Sequence, residues 1–259
     1  MVTVTAVVAF LFGLVWGSFG NVLIHRLPRR QSVVLPASHC PACGTPLRWY
    51  HNVPLLSYLA LGGRCAFCRA PISPRYPLVE GATALLFAAS SLAFGPTPAA
   101  AVAALFSFLL LVLGLIDLEH QILPDRLTYP GIVLGLAASF FVPWTSPPAS
   151  LAGAALGAAL PALLIGAYAL FGIEAMGWGD VKLLAMAGAF LGWRGLVLTL
   201  LLGAFAGTVV GGLYLYATGK GRRTPLPFGT FLSAAALISL FFGPAIWAWY
   251  LGTFFPGSP

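Results

Sequence analysis

Apolar residues fall along this chain in long unbroken runs, not in the alternation of a half-buried strand or the three-to-four spacing of a surface helix. The runs cover about 2–24, 78–94, 99–116, 127–142, 151–171, 181–193, 195–217 and 228–254. A helix that is apolar all round lies in lipid or deep in protein, and about 20 apolar residues cross a bilayer. The pattern predicts an all-α polytopic membrane protein of about eight transmembrane helices. The fourth and sixth runs are short for a crossing, and the last is long enough to tilt. One long polar segment, 25–77, follows the first run. No basic stretch precedes that run, so it reads as a retained span and not as a cleaved signal. The expected organisation is a first transmembrane helix (1–24), a cytoplasmic insertion (25–77) and a transmembrane core (78–259).

Composition agrees. Of 259 residues 59% are hydrophobic, and 13 Lys+Arg and 6 Asp+Glu make only 7% charged, against about 25% in ordinary soluble domains. Mean hydropathy is +0.94. A soluble domain cannot hide so much apolar surface, and a disordered chain does not carry it. Thirty Gly and 21 Pro occur without a Gly-X-Y period, so collagen is excluded.

The net charge of +7 reads as topology, not as nucleic-acid binding. Arg26, Arg29, Arg30, Arg48, Arg64, Arg69 and Arg75 all lie between the first two spans. If that segment is cytoplasmic, alternation puts Arg126, Lys182, Lys220, Arg222 and Arg223 inside as well. Arg194 is then the one positive charge outside, and the N-terminus is outside too. The opposite orientation reverses the positive-inside bias. All six acids, Glu80, Asp117, Glu119, Asp125, Glu174 and Asp180, then also fall near cytoplasmic helix ends, which the positive-inside rule does not require.

The four cysteines form two pairs in the polar segment, Cys40-Pro-Ala-Cys43 and Cys65-Ala-Phe-Cys68. A reducing cytosol disfavours disulfides, whereas two such pairs can bring four thiolates to a tetrahedral Zn²⁺. Four sulfur ligands leave no open position, so the metal is read as structural, a clip for a domain too small for a large core. Gly44 suits the tight turn after the first pair; Arg69, in the equivalent place after the second, suits it less. Redox-active or unliganded thiols are the alternatives, and His39 or His51 could substitute as ligands.

Two acidic loci carry the candidate chemistry. Asp117 sits on the apolar helix of LLLVLGLIDLEHQILPDRLTYP, and Pro124 predicts that this helix ends or kinks before Asp125. In EAMGWGDVKLLA, Gly177 and Gly179 lead into Asp180. An acid within a span costs roughly 2.5–3.5 kcal/mol at the centre and less near the ends, so something must offset it. Asp180 and Asp125 can each be read as N-caps of the helices that follow. Asp117 has no such reading. Glu80, Glu119 and Glu174 are expected at headgroups or paired with bases, and His120 at the interface. If the intervening runs return Asp180 to Asp117, two close carboxylates do not both ionise easily. One can then take a proton from water while the other donates one, which is aspartyl peptide hydrolysis. Gly177 and Gly179 would let backbone approach Asp180 with no Cβ in the way. No Ser nucleophile or HExxH metal site competes.

At these residues the sequence resembles the type IV prepilin peptidases, the bacterial prepilin leader peptidase/N-methyltransferases. The resemblance runs through GSFGNVLIHRLP (17–28), CPACGTPLRWYHNVPLLSYLALGGRCAFCRAPISPRYPLVE (40–80), LIDLEHQILPDRLTYP (115–130) and GWGDVKLLA (177–185). The C-terminal third matches chiefly in hydropathy. The resemblance implies a GxGD-type intramembrane aspartyl protease in the bacterial inner membrane, with Asp117 and Asp180 catalytic. Asp125, Gly177, Gly179 and Lys182 are then supporting, and Cys40, Cys43, Cys65 and Cys68 are zinc ligands. It implies removal of the basic leader from type IV prepilins or type II secretion pseudopilins at the cytoplasmic face. Methylation of the new N-terminus by S-adenosylmethionine would follow. No glycine-rich Rossmann fingerprint marks a methyl-donor site.

Two other function classes compete on the residues alone. A proton-coupled transporter also keeps acids in its membrane helices, though it should show them at mid-depth. A non-catalytic zinc-ribbon scaffold would use the acids only as caps.

Overall fold

A computed structural model describes residues 2–172, 176–219 and 226–255. Glu174, Lys220, Arg222 and Arg223 lie outside the described residues, so their expected placements have no structural counterpart here. Eight α-helices, no strand and one short 3-10 turn occur among the described residues, in two compact units, Met1–Phe108 and Leu109–Pro259.

The first unit holds α1 (Val2–Arg26), the 3-10 turn Trp49–His51, α2 (Leu56–Ala60), α3 (Arg75–Phe94) and the beginning of α4 (Pro98–His120). α1 packs along α3. Gly17 permits that approach, because a Cβ there would stand 2.6 Å from the Cα of Glu80. The Trp16 ring meets Phe108 edge-on at 5.0 Å. At the end of α1 the buried Arg26 guanidinium donates to the carbonyls of Ser32 (3.0 Å) and Pro36 (2.8 Å), which folds the following loop back on the helix.

The second unit holds the rest of α4, then α5 (Asp125–Ala138), α6 (Pro147–Ala169), α7 (Trp178–Thr218) and α8 (Phe228–Phe254). α7 is central and packs against α5, α6 and α8. Its 41 residues would measure about 60 Å as a straight helix, twice a hydrocarbon core of about 30 Å. It breaks at Gly192, whose φ of 71° and ψ of 178° belong to a region nearly restricted to glycine. The carbonyls released by the break find donors: Ser150 Oγ donates to Ala189 O at 2.5 Å and Trp144 Nε1 to Phe190 O at 3.0 Å. A backbone break in an apolar helix persists only with such partners.

All eight apolar runs of the sequence lie on helices, with α7 carrying two of them. Among the described residues six helices are long and apolar enough to cross a membrane. α5, at 14 residues, spans only about 21 Å, in keeping with the short fourth run.

Candidate active site and metal centre

The chain turns sharply between α4 and α5. α4 ends at His120, Gln121 takes a left-handed φ of 54°, and α5 opens directly after Pro124. This leaves Asp117 in the last turn of α4, only 5% exposed. Its partner is the start of α8. The Thr230 amide donates to Asp117 Oδ2 at 2.8 Å, the Thr230 hydroxyl lies 3.2 Å from the same oxygen, and the Gly229 amide also bonds the carboxyl group. Thr230 Oγ1 donates to the Gly114 carbonyl as well, at 2.9 Å. The first amides of a helix have no partner within it and favour negative charge. Asp117 therefore satisfies the α8 terminus, and that terminus offsets the cost of burying Asp117. A hydrogen bond to a charged group contributes about 1.5–3 kcal/mol, comparable to the penalty for an acid within a span.

Asp180 is the third residue of α7 and 9% exposed. The capping residue is Gly177, and no side chain caps the helix from that position. The reading of Asp180 as the N-cap of a helix starting after it is therefore corrected. α7 begins at Trp178, because Gly177 takes the extended cap conformation and two helical residues precede the acid. From its third position Asp180 bonds back to the Gly177 backbone, the back half of a capping box. Asp125 is likewise not a cap. It is the first helical residue of α5 behind Pro124 and forms an ion pair with Lys182 of α7. Lys182 Nζ also lies 5.5 Å from the centre of the Tyr129 ring, so it ties the starts of α5 and α7 together.

Asp117 and Asp180, 63 positions apart in sequence, lie close enough for the charge of one to bear on the other. Leu123 forms the apolar wall between their elements. A Cβ at Gly179 would stand 3.0 Å from Leu123 Cβ, and one at Gly229 would stand 3.0 Å from both Leu123 Cδ1 and Asp117 Cγ. Two buried carboxylates at helix N-termini are thus held in one electrostatic field, with glycine wherever a side chain would intrude. A Cβ at Gly177 would make ordinary contact with Asp180, 3.6 Å from its Oδ2. Sequence reasoning missed Gly229 and Thr230. The available signal was a Pro-Phe-Gly-Thr step at the head of an apolar run, similar in kind to the Gly-Trp-Gly-Asp step before α7.

The remaining acids divide. Glu119 lies 3.9 Å from His120 at the end of α4. Glu80 is not at a headgroup or beside a base as expected. It is buried on α3 and accepts the Leu55 amide at 2.8 Å, with Ser18 as a second partner. α1 and α3 pack too closely there to leave it exposed.

The four cysteines converge in the first unit, with all their Sγ atoms within 4.8 Å of one another, a set able to hold a metal ion. Each pair sits in a small knuckle closed by one bridge, His39 with Pro46 and Arg64 with Pro71. Gly44 has φ 68°, and Arg69, which the sequence places in the same position of the second knuckle, takes φ 61° all the same. The Cys43 thiol is lowered to about 6 by the Thr45 hydroxyl and amide, and that of Cys65 is lowered by the Cys68 and Phe67 amides. Such donors favour the thiolate, the form that binds metal. His39 and His51 are not in the cluster.

Known proteins agree with this layout. Residues 11–94 match the Bacterial Peptidase A24 N-terminal domain and residues 104–212 the Type IV leader peptidase family. The chain is 42% identical over 265 residues to a prepilin leader peptidase/N-methyltransferase of Pseudomonas aeruginosa, covering 93% of this chain and 91% of the relative. It is 48% identical over 221 residues to one of Myxococcus xanthus, covering 85% and 66%. It is 39% identical over 270 residues to one of Aeromonas hydrophila, covering 95% and 93%. No solved structure matches it. With both family domains in order along the chain and the Pseudomonas aeruginosa relative matched over 91% of its length, the protein belongs to the type IV leader peptidase family.

Proposed function

We propose that this protein is a membrane-embedded aspartyl endopeptidase that removes the leader of type IV prepilins or type II secretion pseudopilins. The observation that carries the reading is the convergence of two buried acids on one wall: Leu123 stands against Gly179, next to Asp180, and against Gly229, whose backbone meets the Asp117 carboxyl group. One carboxylate takes a proton from water as its oxygen attacks the scissile carbonyl. The other, protonated, gives its proton to the carbonyl oxygen. The C–N bond then breaks as the new amine takes the proton gained from water and a hydroxyl of the tetrahedral diol returns its proton to the other carboxylate, so the dyad again holds a single shared proton. Thr230 and Gly229 hold Asp117 in place, Gly179 gives room to Leu123, Gly177 lies beside Asp180, and the Asp125–Lys182 pair fixes α5 against α7.

The distribution of acids favours this reading over a proton pathway. Among the described residues every acid lies near a helix end: Glu80 is sixth in α3, Asp117 and Glu119 are in the last turn of α4, Asp125 opens α5 and Asp180 is third in α7. The Arg-rich segment between α1 and α3 supports a cytoplasmic position for that segment and for the dyad. A basic leader would be drawn to such acids while its apolar part stays in lipid.

The cysteine cluster suits structural zinc. Tetrahedral Zn–S bonds of about 2.3 Å imply sulfurs about 3.8 Å apart, and Cys40 and Cys68 Sγ are 3.8 Å apart. The relatives' names include N-methyltransferase, and we assign this chain the same second activity, with S-adenosylmethionine supplying the methyl group. A Rossmann-type site for it does not fit, since no strand occurs among the described residues.

The test is processing of a prepilin by purified protein in bilayers, followed on a gel. Asp117→Asn and Asp180→Asn should each reduce cleavage by at least about 10³-fold, as expected for loss of a member of a catalytic unit. Undiminished cleavage by either variant overturns the assignment.

A further inference from the structure

The segment between α1 and α3 carries an apolar surface that the protein itself does not cover. α2 is five residues long, and Leu56 and Leu59, spaced to share one side of it, are 66% and 73% exposed. Trp49, in the preceding 3-10 turn, is 82% exposed. In the same segment Arg29, Arg30, Arg48, Arg64 and Arg69 are also exposed, and residues 25–79 contain no Asp, Glu or Lys.

α2 is also pinned in depth. Leu55, just before it, takes a left-handed φ of 59° that turns its amide onto the buried Glu80 carboxylate at 2.8 Å. Glu80 lies five residues into α3, about 7–8 Å along a helix that is itself apolar and long enough to cross a bilayer. The start of α2 is therefore level with the outer turns of a spanning helix, not lifted into solvent. Interfacial helices place their apolar sides about 5–10 Å into the boundary between headgroups and acyl chains.

We infer that α2 and the Trp49 turn dock on the bilayer surface, with Leu56, Leu59 and Trp49 entering the interface and Arg48, Arg64 and Arg69 binding anionic headgroups. Charge decides the occupant. A surface with arginines and no acid attracts anions and repels a basic peptide segment, and each arginine near an anionic leaflet adds to the attraction. The same chemistry applies whichever leaflet faces this end of α1 and α3, and docking does not depend on peptide cleavage.

The full-length protein is reconstituted in nanodiscs of equal phosphatidylglycerol and phosphatidylcholine, with the photoreactive residue benzoylphenylalanine replacing Leu59, and adducts are identified by mass. The same label replacing Leu163, an exposed position on α6, reports ordinary lipid contact and an intact fold. Phosphatidylglycerol adducts at 59 should exceed phosphatidylcholine adducts by about tenfold, with no such preference at 163. Replacing Arg48, Arg64 and Arg69 together by Gln should remove the preference at 59 and leave the yield at 163 unchanged. Lipid adducts at 59 without headgroup preference overturn the inference. So do adducts only to a second copy of the chain, only to an added prepilin, or no adduct at 59 while 163 labels lipid.

Discussion

Asp117 is stable in an apolar helix because another helix needs it. The Thr230 amide and hydroxyl meet one oxygen of its carboxylate, and the Gly229 backbone passes where any Cβ would stand 3.0 Å from the carboxyl carbon. Thr230→Val keeps the shape and the amide but loses the hydroxyl. Removing one hydrogen bond to a charged group should slow cleavage by about 10- to 100-fold and shift its pH profile, while Thr230→Ser restores both. Gly229→Ala should lose nearly all activity without unfolding the protein. Initial rates across a pH series, with melting curves as the fold control, check both. Asp117 was legible as an acid with no bland explanation, since an apolar helix precedes it. Thr230 was not, because a Thr at the head of an apolar run carries no mark of the acid 113 positions earlier that it binds.

Among the elements, α7 shows how a short glycine stretch shapes a long apolar sequence. Two of the predicted runs form one helix broken at Gly192, with Ser150 and Trp144 serving the freed carbonyls. Any side chain at Gly192 meets backbone strain and a contact with Thr145 Oγ1. Gly192→Ala should therefore lower stability by about 1–3 kcal/mol, read as a reduced melting temperature in detergent. Gly252→Ala, in α8 with nothing within 4 Å of the new Cβ, should leave it unchanged or slightly raised. Hydropathy identified the apolar runs but could not tell a loop from a break within a helix. That difference depends on whether side chains of other elements bond the open carbonyls.

On the scale of the molecule, each compact unit is organised around one polar cluster, four thiols in the first and two carboxylates in the second. The thiol cluster should bind about one zinc per chain by elemental analysis. Cys43→Ser or Cys68→Ser, or prolonged chelation, should remove it and expose residues 25–77 to rapid proteolysis, as structural zinc contributes folding free energy directly. Zinc content at wild-type level in both variants would exclude the four-sulfur site.

The sequence by itself determined the membrane class, the helical content, the paired cysteine knuckles and the two acids worth following. Each is a property of composition or of spacing within one element, where local geometry suffices. Only the tertiary structure decided that Asp180 is the third residue of its helix, that Asp125 pairs with Lys182, that Glu80 turns inward to hold Leu55, and that α8 supplies the donors for Asp117. Those outcomes depend on which free backbone amide meets which carboxylate. That is a matter of how separate helices pack, and no single stretch of sequence encodes it.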